Sequence, residues 1–88
     1  MINKVDYSRS FQKQLIKSPK KIKIEFRERI KIFTLEPFNP KLNNHELTGE
    51  FAGFRSINIT GDWRALYVEL KKSEVKFMFL GTHSQLYG

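Results

Sequence analysis

The sequence predicts an α+β fold: two N-terminal helices packed on one face of a twisted antiparallel sheet of three to five strands. Three observations carry this reading. Apolar residues in the first third recur at helical spacing. After the turn-rich stretch 37–44 the period falls to two. Short turn-forming clusters then separate the alternating runs, so consecutive strands must be antiparallel neighbours. With 88 residues, the chain suits one domain, 1–88, with a core two layers thick.

Taken in order, Ile2 and Val5 suit a short first strand. Ser8 or Ser10 caps a first helix whose apolar positions are Phe11, Leu15 and Ile16. Ser18 and Pro19 predict a restart, with Ser18 as cap and Pro19 at the first helical position, where no bond is lost. The second helix places Ile22, Phe26, Ile30 and Phe33 on one face and Lys20, Lys21, Lys23, Arg27 and Lys31 on the other. It ends at Pro37, which forces Glu36 out of helical geometry. A short strand is expected around Glu46–Thr48. Three alternating runs follow: Ile57 and Ile59; Leu66, Val68 and Leu70; Val75, Phe77 and Phe79. The turns between them fall at Thr60–Gly61–Asp62 and at 71–74.

The net charge is +7, and it is uneven. Residues 1–36 hold ten Lys and Arg against four Asp and Glu; residues 37–88 hold six against five. A basic half of this kind attracts a polyanion or an acidic protein. No apolar run approaches the roughly 18 residues of a membrane span, and no hydrophobic signal core opens the chain. The absence of cysteine removes disulfides, thiolate metal sites and a cysteine nucleophile, and fits a cytoplasmic setting.

Two histidines, His45 and His83, stand in polar surroundings rather than in apolar runs. Imidazole exchanges protons near neutral pH, so two in one cleft would serve as general base and general acid. Their separation and the missing third ligand make a poor zinc pattern, and no metal or other cofactor is expected. Arg55 and Arg64 flank the turn at Gly61 and suit phosphate binding, or are solvated strand-end charges. Asp62 is placed to orient a histidine or pair with Arg64, or simply to make the turn. Trp63 and Tyr87 offer stacking surfaces for bases, although Trp63 equally suits the core edge. Asn58 lies on the polar side of its strand as a substrate contact or a solvated amide.

These residues occur in an ordered series: His45-Glu46-Leu47-Thr48-Gly49, Gly53-Phe54-Arg55-Ser56, Gly61-Asp62-Trp63-Arg64-Ala65-Leu66-Tyr67 and Gly81-Thr82-His83-Ser84-Gln85-Leu86-Tyr87. The series resembles the RelE superfamily of bacterial toxins, and most of all its YafQ branch of messenger-RNA interferases. The resemblance implies a ribosome-dependent endoribonuclease held in check by a cognate antitoxin. It implies attack of the RNA 2′-hydroxyl on the adjacent phosphate, without a metal. Carried over by position, His45 and His83 are acid–base groups, Asp62 is an active-site aspartate, Arg64 is the arginine of the following strand and Tyr87 is the C-terminal aromatic. Arg55 and Trp63 fall inside the matched motifs. Where the YafQ branch carries a further histidine, this chain has Asn58, an amide that cannot shuttle protons. The expected partners are the antitoxin, ribosome-bound mRNA and ribosomal RNA. Two other readings share the fold: a non-catalytic, gyrase-inhibiting toxin resembling the ParE branch, and an inert RNA- or protein-binding module.

Overall fold

Alternation and helical spacing produce the expected layers. The computed structural model describes all 88 residues. A first strand, β1 (Lys4–Tyr7), leads into helices α1 (Arg9–Lys17) and α2 (Lys20–Leu35). A 3-10 turn at Pro40–Leu42 precedes the two-residue strand β2 (His45–Glu46), and another at Gly49–Phe51 follows it. Then come β3 (Arg55–Thr60), β4 (Trp63–Lys71), β5 (Glu74–Thr82) and a short helix α3 (His83–Tyr87). The sheet order is β1-β5-β4-β3-β2. No helix is long and apolar enough to cross a membrane.

Four strands are antiparallel neighbours, as the short turns require. The sheet is nevertheless mixed, because β1 runs parallel to β5, with Lys4 opposite Glu74 and Tyr7 opposite Phe77. The long helical connection makes such a parallel pairing possible. The expected strand at Glu46–Thr48 is shorter and lies one residue earlier. Gly49 follows it at φ +67, opening the 3-10 turn.

Ser8 caps α1, its Oγ accepting from the Phe11 N–H while donating to the Met78 carbonyl at 2.7 Å. Ser18 has a different role from the expected one. It closes α1, donating from Oγ to the Leu15 carbonyl at 2.6 Å, and Pro19 takes the cap position of α2. α2 starts without a side-chain cap. Glu36, with φ −139 and ψ 82, ends α2 as the following proline demands.

One face of the sheet is filled by aromatic rings. Tyr7, Phe11, Phe26, Phe33, Tyr67 and Phe77 pack with ring centroids 5.0 to 6.1 Å apart. Leu42, Ile57, Ile59, Ala65, Val75 and Leu80 complete this core. Each fully buried ring of this size contributes roughly 1.5–3 kcal/mol. Two side-chain bonds fix the helices to the sheet: Arg29 Nε donates to the Ile59 carbonyl, and Gln14 Oε1 accepts from the Leu80 N–H.

Strict alternation fails at two places in the β4–β5 hairpin. Leu66 pairs with Phe79 and Tyr67 with Phe77, so Met78 is an inserted residue. Phe79 is thereby turned to the face away from α1 and α2, and Leu80 enters the core in its place. Nearer the turn, Glu69 pairs with Val75 and Lys71 with Glu74. Leu70 is the extra residue there and is exposed.

Candidate active site

The open face of the sheet starts from the residues that alternate with the core. Ser56 and Asn58 on β3, and Arg64 and Leu66 on β4, point away from the helices, opposite in sense to Ile57, Ile59, Ala65 and Tyr67. Two short elements wall this face. On one side β2 pairs with β3, setting His45 opposite Ser56. On the other, α3 folds back over the end of β5. The resulting cleft, of about 390 Å³, is lined by Asn43, His45, Leu47, Thr48, Phe51, Ser56, Arg64, His83 and Tyr87.

Two reciprocal bonds hold α3 in place. Thr82 Oγ1 accepts from the Gln85 N–H and Gln85 Oε1 accepts from the Thr82 N–H, a capping box. The His83 N–H donates to the Asp62 carbonyl at 2.8 Å, tying the helix start to the β3–β4 turn. Gly81 permits the close return: a Cβ there would lie 3.1 Å from Gln85 Oε1 and 3.4 Å from Leu86 Cγ. One helical turn after His83 comes Tyr87, its ring 4.7 Å from the imidazole. Phe51 meets Tyr87 edge-on at 5.5 Å and also packs on Phe54 and Phe79.

His45 is oriented by its own turn. Asn43 has φ 46 and ψ 47, a left-handed conformation that asparagine tolerates better than most residues. That geometry carries its carbonyl to 2.8 Å from His45 Nδ1. A carbonyl only accepts, so Nδ1 bears the hydrogen and the neutral ring keeps its lone pair on Nε2. His83 makes no hydrogen bond through its ring; its contact is with Tyr87. Arg64 Nη1 donates to the Gly61 and Trp63 carbonyls at 2.9 and 3.0 Å, which leaves the rest of the fork without a bond in the chain.

The cleft therefore brings together His45, His83, Arg64 and Tyr87, four of the eight residues singled out from the sequence. The other four lie elsewhere. Arg55 falls on the helix side of β3, where its guanidinium stacks 5.3 Å from the Phe38 ring centroid. Trp63 likewise packs against the core beside Leu80. Asp62 is exposed in the turn and reaches the site through its backbone carbonyl. Asn58 lies under the cleft face next to Arg64, and its Oδ1 is buried without a partner.

Sequence reasoning missed Asn43, Ser56 and Phe51. Ser56 is 1 % exposed, and its Oγ likewise has no partner. Two unpaired polar atoms on neighbouring alternate positions are unusual in a folded chain. A signal was available: Ser56 shares the parity of Asn58, and Asn43 stands two residues before a histidine. A larger hollow, about 560 Å³, lies between α1 and α2 and is mainly apolar, with Lys23 and Arg27 among its lining residues. It holds no histidine or carboxylate.

Fold and cleft define a RelE-type α+β protein whose uncovered sheet face carries two imidazoles and a guanidinium. The chain belongs to the YafQ family, bacterial toxins of type II toxin–antitoxin systems, whose family model matches residues 3–88. Among solved structures it is similar to YafQ of Escherichia coli strain BL21(DE3), with TM-score 0.81, 21% identity and full coverage of both chains. A conserved Helicobacter pylori protein of hypothetical function, solved in solution, is 30% identical with TM-score 0.69, over 99% of this chain and all of that one. YafQ in the E. coli DinJ–YafQ complex matches at TM-score 0.70 and 23% identity over the whole of both chains. Comparison with curated protein sequences gives no match.

Proposed function

We propose that this toxin is an endoribonuclease acting on ribosome-bound mRNA. The observation that carries the reading is the shared cleft: His45 and His83, distant in sequence, line one hollow with Arg64 between the elements that bear them. His45 Nε2, the ring atom with the free lone pair, takes the proton from the RNA 2′-hydroxyl. The 2′-oxygen bonds to phosphorus, and the bond from phosphorus to the 5′-oxygen breaks. His83 delivers a proton to that leaving oxygen. The products are a 2′,3′-cyclic phosphate and a 5′-hydroxyl. Arg64 stabilises charge on the phosphate, and Tyr87 gives a flat surface for a base beside it.

The basic helices support a division of labour. Their exposed cations Lys13, Lys20, Lys23, Arg27 and Lys31 lie on the side of the sheet away from the cleft. This surface suits partners that hold the protein rather than the scissile phosphate: an acidic antitoxin and ribosomal RNA. An E. coli relative has been solved in complex with DinJ, and a corresponding antitoxin over the apolar, cation-rimmed hollow between α1 and α2 is part of this reading.

The test is primer extension on translated mRNA with wild type and His83→Ala. Wild type should give new 5′ ends, and the variant should lose them by about 10²–10⁴-fold. Equal cleavage by a folded His83→Ala protein sinks the assignment. No cleavage by wild type, together with a DNA-damage response, favours a ParE-like toxin; a harmless wild type favours an inert module.

A further inference from the structure

Behind β2, on the side of the sheet opposite the cleft, lies a polar network that the chemistry above leaves unused. Asn44 Nδ2 donates to the Pro37 carbonyl and to the Tyr67 hydroxyl, both at 2.8 Å. Asn44 Oδ1 accepts from Arg55 Nε at 2.9 Å. All three hydrogen-bonding positions used by this amide face fixed partners. The Arg55 guanidinium lies over Phe38, and its Nη1 is 4.0 Å from Glu46 Oε1.

The network holds Asn44 and borders Glu46, the two residues that flank His45. Strand side chains alternate, so with Asn44 and Glu46 turned to the network, His45 between them must face the cleft. β2 is only two residues long and pairs with β3 alone. So short an edge strand is weakly held by its ladder. We propose that Asn44, Arg55 and Tyr67 form a clamp that positions His45, holding Nδ1 on the Asn43 carbonyl and Nε2 toward the cleft. Arg55 is thus a positioning residue that never meets the phosphate. A one-residue slip of β2 would turn His45 to the wrong face and break the clamp at the same time.

The catalytic part of this proposal rests on the nuclease reading; the part concerning the geometry of His45 does not. Two readouts therefore separate them. The first is the ring-nitrogen NMR spectrum of both histidines in wild type and Arg55→Met. In wild type His45 should show a protonated Nδ1 and an unprotonated Nε2. In the variant its two nitrogen shifts should move toward each other as the tautomers mix, while those of His83 stay. Unchanged His45 shifts, or equal changes at His83, overturn the clamp. Should Arg55→Met fail to fold, Tyr67→Phe keeps the core volume and removes only the hydroxyl; the same shift of His45, smaller in size, is expected, and its absence overturns the proposal.

The second readout is cleavage of ribosome-bound mRNA. Displacement of the base from its working position should lower kcat about 10- to 100-fold and leave KM unchanged. A raised KM with unchanged kcat would instead make Arg55 a substrate ligand and overturn the assignment. If wild type cuts no RNA, the nuclease reading fails, and the NMR result still decides the clamp.

Discussion

The two faces of this sheet are built from the same strands and follow opposite rules. Toward α1 and α2, Ile57, Tyr67 and Phe77 are sealed among rings, and polar groups such as the Tyr67 hydroxyl have partners. Away from the helices, Ser56 and Asn58 keep buried oxygens with no partner, Arg64 has part of its fork free and the His83 ring is unbonded. Unmet hydrogen-bonding capacity costs stability. Its concentration on one face marks that face as the one adapted to something other than folding. The comparison predicts that the large losses of stability follow truncation of the rings on the covered side.

The largest stability effect belongs to the covered face. Phe77→Ala should lose about 3–5 kcal/mol, read as a lower urea midpoint. A loss below about 1 kcal/mol would show that the aromatic cluster is not the stabilising unit described. Gly81→Ala sits at the border between faces. The added Cβ would lie 3.1 Å from Gln85 Oε1 and 3.4 Å from Leu86 Cγ, so these side chains must give by a few tenths of an ångström, at about 1–3 kcal/mol by analogy with overpacking. Crystallography should show His83 displaced, and cleavage should fall more than melting temperature does. Ser56→Ala removes an unpaired hydroxyl from the open face and should raise stability by about 1 kcal/mol. A loss of stability there would mean that the hydroxyl is satisfied in solution.

The smallest effect lies in alkaline titration. Burial raises the pKa of Tyr7 and Tyr67 above 10.0, although the Asn44 hydrogen bond and the Arg55 charge oppose this at Tyr67. A folded-state pKa above the unfolded one means that the native state holds its proton longer. The stability from these groups is complete below pH 10 and is lost as pH rises through their folded values. Urea midpoints measured upward from pH 9.5 should fall less steeply in Tyr7→Phe than in wild type. Equal slopes would remove Tyr7 from the account.

Local signals in the sequence account for much of the fold. The helices, the turn at Gly61 and the antiparallel order of β3, β4 and β5 follow from spacing and turn chemistry, which act between near neighbours. The parallel pairing of β1 with β5 was hidden because nothing in Ile2–Asp6 specifies a partner so far along the chain. The insertions at Met78 and Leu70 were hidden because alternation looks unbroken until cross-strand pairing is known. For the site, residue type drew attention to His45, His83, Arg64 and Tyr87. Arg55 lies outside the cleft. It shares the parity of Ile57 and Ile59, so alternation already placed it toward the helices, but its charge suggested phosphate. The clamp needed the positions of Asn44 and Tyr67, which only the fold supplies.

The pairing of Lys4 with Glu74 also has a kinetic side. Hairpins close quickly because their partners are near in sequence, whereas a contact spanning about 70 residues closes slowly. The Ser8 hydroxyl, just after β1, holds the carbonyl of Met78, the inserted residue that turns Phe79 outward. The same slow event that brings the first strand home thus seals the bend in β5, a few residues before His83.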